Sequence, residues 1–310
     1  MNIVFVMDPL ENINPFKDSS YVLMLAATRQ GHHVFYVPNS GLHLNSAGLQ
    51  FEAMPVTPSE DRSHPFETTE MTWIPEAEID AVFVRTDPPF DESYLMNTWL
   101  LDRLDPRIKV INSPQGIRTV NEKIWATQFK TVVPETLITS SLALAKQFLI
   151  QQGHIVAKPA NGFGGSSVFK LSAGDSNASV VFETLSHLGK SKMILQAYID
   201  AAQVGDKRVL LVDGEPVGCV LRVHSPEDHR NNFFAGGKPA QTSLTARDQE
   251  IIAILKPHLN ALGLRFVGID IIGDYLIEVN VTSPTCIQEI NALTGDCLEN
   301  KILEALLQKA

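Results

Sequence analysis

Short apolar runs and one helical segment alternate near the start of the chain. Residues 3–7 and 34–37 are continuous apolar runs, which are typical of buried strands. Between them Ser19 or Ser20 can cap a helix that Gly31 ends. A strand, a helix and a second strand in this order predict a parallel sheet that is covered by helices.

We expect this sheet to include further strands at residues 81–84 and 109–111. Residues 41–66 are polar, and we expect an irregular segment with a hairpin there. Arg85 and Asp87 follow the carboxyl end of the 81–84 strand, and ligands gather at such ends in open α/β sheets. On these residues alone, a surface ion pair in a proline-rich loop is the simpler interpretation.

The second half of the chain is predicted to mix strands and helices. The predicted strands cover residues 154–159, 168–171, 193–196, 205–212 and 217–223. The predicted helices cover residues 143–152, 246–261, 286–293 and 297–307. Asp213 and Gly214 form the turn between the last two of these strands.

The clearest alternation lies in residues 268–281, which predict two short strands joined by a turn. One predicted face of the second strand carries Ile277, Val279 and Val281, and the other carries Glu278 and Asn280. A three-residue loop at 273–275 would pair Asp270 with Glu278 and place the polar side chains on one face. A two-residue loop would shift the register and mix the faces, so the apolar pattern favours the longer loop.

Asp270, Glu278 and Asn280 would then converge from one face of a sheet. Carboxylate and amide oxygens are ligands that Mg²⁺ prefers, and phosphate oxygens commonly complete its shell. The alternative is a half-exposed hairpin whose polar face meets water. Alternation alone favours this alternative because it is a common arrangement.

A glycine-rich turn at residues 161–167 joins two predicted strands. Glycine lets a ligand approach the backbone closely, and such a turn can direct several N–H groups at a phosphate. The turn matches neither the Walker A pattern nor the dinucleotide fingerprint, because no helix follows it directly. Lys158 enters the turn, and together with Lys123 it makes a nucleotide site a better interpretation than the turn alone does.

Composition narrows the class of protein. A chain of 310 residues has room for two or three domains, and its net charge of −10 argues against a broad nucleic-acid surface. The three cysteines show no disulfide or zinc spacing, which favours a reducing cytoplasm. No apolar stretch approaches the length of a membrane span, and residues 3–7 are too short for a signal-peptide core.

The metal-ligand pattern also carries a family resemblance. Asp270, then Glu-x-Asn from Glu278, then Thr-Ser-Pro-Thr from Thr282, resembles the metal-binding end of the ATP-grasp ligases. Over nearly the whole chain the sequence resembles bacterial glutathione synthetase. The other matching runs are Met7-Asp8-Pro9, Asp18-Ser19-Ser20, Asp87-Pro88-Pro89-Phe90-Asp91, Asn121-Glu122-Lys123, Asp206-Lys207-Arg208-Val209 and Val212-Asp213-Gly214-Glu215-Pro216.

The resemblance implies an α/β protein with two parts. Residues 1–122 would form an N-terminal parallel-sheet (pre-ATP-grasp) domain that binds substrate. Residues 123–310 would form an ATP-grasp fold of two α+β subdomains. In this division residues 123–200 are the smaller nucleotide lid subdomain, and residues 201–310 carry the metal and the catalytic groups.

The activity implied is ATP-dependent ligation of γ-glutamylcysteine and glycine to glutathione, with ADP and phosphate released through an acyl phosphate. Mg²⁺, with Mn²⁺ as the alternative, would be the metal. The family also implies a homotetramer, and neither a nucleic acid nor a membrane is expected as a partner.

The resemblance assigns residues to four groups. The nucleotide contacts are Lys123, Lys158, Gly162, Gly164, Gly165, Gln196, Ala197, Tyr198, Ile199, Lys207, Gly236 and Gly237. The catalytic cations are Arg208, Arg222 and Arg230. The substrate contacts are Asp18, Ser19, Ser20, Arg85, Asp87, Asn280, Thr282 and Ser283. The metal ligands are Asp270, Glu278 and Asn280.

Two motifs depart from the family. The glycine turn has Asn161 and Phe163 where the family more often has Asp and Met, and Asn231, Phe233 and Phe234 differ from the usual lid sequence. We expect residues 225–242 to close over the reaction as a lid, and an ordinary surface loop is the alternative. Cys286 is interpreted as a buried structural thiol. Another ATP-grasp ligase with a different acceptor, and a nucleotide-binding regulatory protein without turnover, remain as alternative functions.

Overall fold

The first sheet lies at the N-terminal end of a computed structural model that describes residues 1–162, 164–224 and 236–308. Its strands are β1 (Asn2–Met7), β2 (His33–Pro38), β3 (Leu42–Asn45), β4 (Gly48–Pro58), β5 (Phe66–Thr68), β6 (Thr72–Pro75), β7 (Ala81–Val84) and β8 (Lys109–Ile111). The main strand order is β3-β4-β2-β1-β7-β8, with β5 and β6 paired to β4. The predicted parallel pairing is confirmed for β1 with β2, β1 with β7, and β7 with β8.

Residues 41–66 are more ordered than the sequence analysis predicted. Most of this segment is β3 and β4, which form an antiparallel hairpin. Leu49, Phe51 and Ala53 alternate with more exposed residues along β4, and all three are fully buried. The expected hairpin is confirmed, whereas the expectation that the segment is otherwise irregular was wrong, because this alternation is the usual mark of a half-buried strand.

Two helices connect strands of the first sheet, and a third follows its last strand. They are α1 (Ser19–Arg29), α2 (Glu92–Leu101) and α3 (Pro114–Thr119). Asp18 caps α1 by accepting a hydrogen bond from the backbone N of Tyr21. Helix α1 is buried along most of its length, which places its first residues firmly against the rest of the molecule.

The second sheet is antiparallel and has the order β11-β10-β12-β9. Its strands are β9 (Thr136–Thr139), β10 (His154–Pro159), β11 (Phe169–Ser172) and β12 (Met193–Ala197). Helices α4 (Leu142–Gln152) and α5 (Ala178–Leu185) pack on it around the fully buried Phe182. The glycine-rich turn joins β10 to β11, as predicted.

The third sheet has the order β15-β14-β13-β16-β17. Its strands are β13 (Asp206–Val212), β14 (Glu215–Val223), β15 (Lys238–Ala240), β16 (Phe266–Ile272) and β17 (Tyr275–Asn280). The remaining helices are α6 (Ala246–Ala261), α7 (Ile287–Thr294) and α8 (Leu298–Leu307), of which α8 packs against α1. In the parts of the chain that the structure describes, no helix is long and apolar enough to span a bilayer.

The predicted hairpin is present with the predicted pairing of its polar residues, but its turn is one residue shorter than expected. Asp270 pairs with Glu278, which confirms the predicted register. The turn nevertheless has two residues, since Ile272 pairs with Tyr275. A β-bulge then shifts the register and leaves Ile277 as the extra residue. Leu276, not Ile277, therefore joins the buried face, and Ile277 lines a cavity.

Asn112 joins the first sheet to the third. Its side chain is buried, with 2% exposure, directly after β8. Nδ2 donates to the carbonyl oxygens of Phe266 and Val281, both at 2.7 Å, and Oδ1 accepts from the backbone N of Phe266 at 2.8 Å. These bonds fix the start of β16 and the end of β17 against the N-terminal sheet.

Replacing Asn112 with alanine is expected to destabilise the fold strongly. The backbone groups of Phe266 and Val281 would stay buried without partners, at a cost of about 1–3 kcal/mol for each group. Urea unfolding measures the change. Asn260→Ala, at an exposed position of α6, is the control and should change stability by less than about 0.5 kcal/mol. Equal stability of the two variants would contradict the bridging role of Asn112.

Candidate active site

A cavity of about 320 Å³ lies between the second and third sheets. Strands β10 and β12 contribute to one wall, and β13, β14, β16 and β17 contribute to the other. Most of the residues that the family resemblance assigned to a site meet here. Those that line the cavity are Asp87, Lys123, Lys158, Gly162, Gly164, Gly165, Gln196, Ala197, Tyr198, Ile199, Arg208, Arg222, Asp270, Glu278, Asn280, Thr282 and Ser283.

Two lysines approach one carboxylate in this cavity. The Nζ atoms of Lys123 and Lys158 lie 3.5 and 3.8 Å from Oε1 of Glu278. Burial opposes the charge of Lys123, but Glu278 and Glu122 outweigh it and raise the pKa of this lysine. Burial prevails at Lys158 and lowers its pKa, although Glu278 partly offsets it. Two basic side chains thus face the cavity, one on β10 and one in the segment between α3 and β9.

The glycine-rich turn lines the same cavity as the two lysines, with backbone that carries no side chain at three positions. Gly164 and Gly165 have φ values of +62° and +77°, in the left-handed region that favours glycine. A Cβ atom on Gly162 would lie 2.5 Å from Cγ of Pro159, so a larger side chain does not fit. The carbonyl oxygen of Gly162 accepts a hydrogen bond from Nζ of Lys123 at 2.7 Å, which ties the turn to this lysine.

The end of β12 forms an apolar and amide-lined part of the cavity. Oε1 of Gln196 accepts a hydrogen bond from Nζ of Lys158 at 3.3 Å, and Nε2 donates to Oγ1 of Thr136 at 3.1 Å. Aliphatic side chains lie nearby in the lining, namely Val156, Ile199, Ile272 and Ile277. Such surroundings suit a flat aromatic ring that also needs hydrogen bonds at its edge.

Asp270 is held by two arginines. Both of its oxygens accept from Arg208, at 2.9 Å for the contact between Nη2 and Oδ2, and Nη2 of Arg222 lies 2.9 Å from Oδ2. Arg222 also pairs through two contacts with Asp206. Burial opposes the ionisation of Asp270, but the two guanidinium groups outweigh it and lower the pKa.

Three oxygen-bearing side chains in the cavity match part of the ligand shell of a hard cation. Asp270 and Glu278 are cross-strand neighbours, and Asn280 follows on the same strand within 3.4 Å of Asp270. In the described ranges no group of three or more His, Cys, Asp or Glu side chains is placed to hold a metal ion. Two carboxylates and an amide match the way Mg²⁺ is usually bound, since substrate phosphates and water supply its other ligands.

Arg85 is buried rather than exposed. It has 3% exposure, its Nε donates to Oγ of Ser20 at 2.8 Å, and its Nη2 donates to the carbonyl oxygen of Pro284 at 3.0 Å. The surface ion pair with Asp87 was therefore the wrong interpretation. The two contacts come from remote parts of the chain, so no local pattern could indicate them.

Four residues that were expected to contact substrate are not in the described lining of the cavity. Asp18, Ser19, Ser20 and Arg85 instead hold α1, the loop at Pro284 and the start of α7 together.

Lys207 points to the opposite face of β13 from Arg208, because successive strand side chains alternate. It forms an ion pair with Asp248 and donates to the carbonyl oxygen of Ser243 at 2.9 Å. Lys207, which was expected to contact the nucleotide, is therefore not in the described lining of the cavity.

The expected lid is described only at its end. Gly236 and Gly237 are not part of the described cavity lining, and they precede the short strand β15. Arg230 and the rest of residues 225–235 lie outside the described residues.

Two acidic residues in the cavity were not assigned from the sequence. Glu122 accepts a hydrogen bond from Oγ1 of Thr282 at 3.1 Å, and burial raises its pKa. Asp206 lines the cavity beside Arg222, and burial raises its pKa in spite of that partner. Both residues lie inside runs that match the family, and Asp206 also alternates with Arg208 along β13. That spacing was the available signal for Asp206.

Comparison with known proteins agrees with this geometry. Residues 1–118 match the profile of the N-terminal domain of prokaryotic glutathione synthetase, and residues 122–295 match that of its ATP-grasp domain. The chain belongs to the prokaryotic glutathione synthetase family.

Cys286, with 1% exposure, is buried in this member of the family, as expected.

Curated relatives extend over nearly the whole chain. Glutathione synthetase of Synechocystis sp. is 41% identical over 313 residues, which covers 98% of this chain and 98% of the relative. Glutathione synthetase of Pseudomonas putida is 40% identical over 306 residues, which covers 98% of this chain and 96% of the relative.

Solved structures show that the fold is shared with more distant ligases. D-cycloserine synthetase DcsG has a TM-score of 0.69 at 14% identity, with 99% of both chains covered. The ATP-grasp ligase PsnB has a TM-score of 0.63 at 16% identity, with 99% of this chain and 98% of that chain covered. The predicted α/β architecture with an ATP-grasp fold is thus confirmed.

The structure predicts unequal roles for the two paired carboxylates in folding. Asp270→Asn would remove the negative charge that the guanidinium groups of Arg208 and Arg222 both contact. Removal of one partner from a buried ion pair costs about 3–5 kcal/mol of folding stability. The side chain of Glu278 is 20% exposed, and its lysine contacts are longer, so Glu278→Gln should cost about 1 kcal/mol. Urea unfolding in metal-free buffer compares the two. A larger loss in Glu278→Gln would contradict this assignment.

Proposed function

We propose that the chain catalyses ATP-dependent ligation of γ-glutamylcysteine and glycine to glutathione. The observation that carries the proposal is the meeting of Lys123, Lys158, Asp270 and Glu278 with the glycine turn around one cavity, in a member of this family. Basic side chains and bare backbone suit the phosphates of ATP. The apolar pocket beside Gln196 suits its adenine ring.

The reaction needs an activated carboxylate. The γ-phosphoryl group of ATP passes to the cysteinyl carboxylate of γ-glutamylcysteine, which gives ADP and an acyl phosphate. The unprotonated amine of glycine then attacks the acyl carbon, the new C–N bond forms, phosphate leaves with the C–O bond electrons, and the nitrogen loses one proton to water. Phosphoryl transfer demands mainly positioning and neutralisation of charge, so the chain needs no nucleophilic side chain.

The basic residues of the cavity divide between the anionic groups of the substrates. Lys123 and Lys158 would hold the phosphates of ATP, which the glycine turn also contacts. Arg208 and Arg222 would offset the charge of the reacting carboxylate and the transferred phosphoryl group. Asp87 and Ser283, which also line the cavity, would orient γ-glutamylcysteine.

Asp270, Glu278 and Asn280 would hold Mg²⁺ or Mn²⁺. When bound, the metal supplies positive charge that polarises the phosphate oxygens and offsets the charge that develops on them. The substrate phosphates would complete its ligand shell, which agrees with the small number of protein ligands in the described site.

The wider organisation of the protein is also part of the proposal. The division at residue 122 separates a substrate-binding region from the ATP-grasp region, within which residue 200 divides the two subdomains. The homotetramer rests on family resemblance, and light scattering tests it. A reducing cytoplasm suits the three free thiols, of Cys219, Cys286 and Cys297.

Ligation, and not simple ATP hydrolysis, is expected to be the main activity. ADP release should require γ-glutamylcysteine and should rise strongly when glycine is added, because the acyl phosphate is consumed by the amine. Mass spectrometry of the product should show glutathione. Fast ADP release without either substrate, or a product formed only with a different amine, would contradict the proposal.

Glu278→Gln is expected to keep its fold and lose turnover. The substitution keeps the size of the side chain but removes a charge from the metal ligands, so kcat should fall by about 100-fold or more. Its Mg²⁺ requirement should also move to higher concentration. Glu250→Gln, at an exposed position of α6, is the control. Unchanged Mg²⁺ dependence in Glu278→Gln would rule out the assigned role.

A further inference from the structure

The cations and carboxylates of the cavity are already paired with each other. Arg208 and Arg222 hold Asp270, while Lys123 and Lys158 approach Glu278. Under the proposed function, on which this inference rests, the carboxylates serve the metal and the basic side chains serve anionic substrates. Each of these groups therefore has at least one partner of opposite charge within the protein and another among the ligands.

The pairing is tightest at Asp270. Its Oδ1 accepts from Nε of Arg208, and its Oδ2 is approached by Arg208 and Arg222, both at 2.9 Å, and by Nδ2 of Asn280 at 3.4 Å. An ionised carboxylate offers about four lone-pair sites. Three of the four contacts fall on Oδ2, which has only two lone pairs, so a cation can take Oδ2 only if a guanidinium group withdraws from it.

The sheet fixes which residues compete. Arg208 lies directly across from Asp270 in the pairing of β13 with β16, and Asp206 lies across from Arg222 in the pairing of β13 with β14. The four side chains are buried and carry two positive and two negative charges. A divalent cation at Asp270 would upset this balance unless an anion arrives with it.

We propose that Arg208 and Arg222 compete with the divalent cation for Asp270, so that metal binding releases these guanidinium groups to hold the anionic substrate. Metal and anion then bind cooperatively, because each takes the internal partner of the other. Such coupling is reciprocal, so the nucleotide and the reacting carboxylate should tighten metal binding as much as metal tightens theirs. The metal by itself should bind weakly.

A purely structural role for these pairs makes a different prediction. If the arginines only support the sheet, removing one should destabilise the fold and leave metal affinity unchanged or weaker. If they compete with the metal, the same change should increase affinity for the metal in the absence of nucleotide. Arg208 is the better residue to change, because Arg222 also balances Asp206.

The test is titration of Mn²⁺ alone into the full-length protein, with free Mn²⁺ counted by electron paramagnetic resonance. Arg208→Met should bind Mn²⁺ at least about tenfold more tightly than the unaltered protein, since both oxygens of Asp270 lose the guanidinium group that occupies them. Arg265→Met is the matched control, because Arg265 forms a similar two-point pair with Asp213 just before the same strand β16. Equal or weaker affinity in Arg208→Met would overturn the proposal.

A second measurement needs no variant that could fail to fold. Nuclear magnetic resonance of the ¹⁵N-labelled arginine Nε groups reports on their partners in the unaltered protein. Addition of Mg²⁺ with ADP should shift the Nε signal of Arg208, whose Nε donates to Asp270, and leave that of Arg265 in place. An unmoved signal of Arg208 at saturation would refute the release.

The inference and the proposed function fail separately. A protein that forms glutathione but shows no gain in Mn²⁺ affinity in Arg208→Met refutes only the competition. A protein that shows the gain but forms no glutathione supports the competition and refutes the assigned substrates.

Discussion

The pairing of Asp270 with Glu278 across the β16–β17 hairpin is the constraint on which the site depends. It places two carboxylates side by side on one face of the third sheet. The same register puts Arg208 across from Asp270 on the other neighbouring strand. A shift of one residue in either pairing would turn the functional side chains toward the core. The fully buried Ile269 and Val279, which pair with each other, hold the register in place.

The hairpin also shows how far sequence reasoning reaches. Alternation of apolar and polar residues correctly predicted which residues pair, because burial of one face strongly specifies register. It did not predict that a two-residue turn and a bulge at Ile277 would produce that register together. A turn and a bulge can compensate for each other, so the pattern alone could not separate them from a three-residue loop.

Contacts between remote parts of the chain account for most of the other differences. Asn112 and Arg85 look like loop residues in the sequence, yet both are buried and bonded to segments more than 150 residues away. The partner of Lys207 lies on α6, which strand alternation could not identify. The family motifs, by contrast, identified most of the residues that line the cavity. A motif records residues that meet in the folded protein, and local periodicity does not contain that information.

The pairing of opposite charges in the cavity explains why the sequence indicates which residues line the site more clearly than what each of them does there. A site for phosphates and carboxylates needs several cations, but unpaired buried cations would destabilise the fold by several kcal/mol, on the order of 3–5 for each broken pair. The protein therefore keeps carboxylates beside them. A carboxylate that binds a metal and one that balances an arginine are the same residue type in the same motif. Asp270 is placed to do both, whereas Asp206 contacts only its arginine partner in the hydrogen bonds described. The difference between the two aspartates lies in the contacts between strands, which only the folded chain reveals.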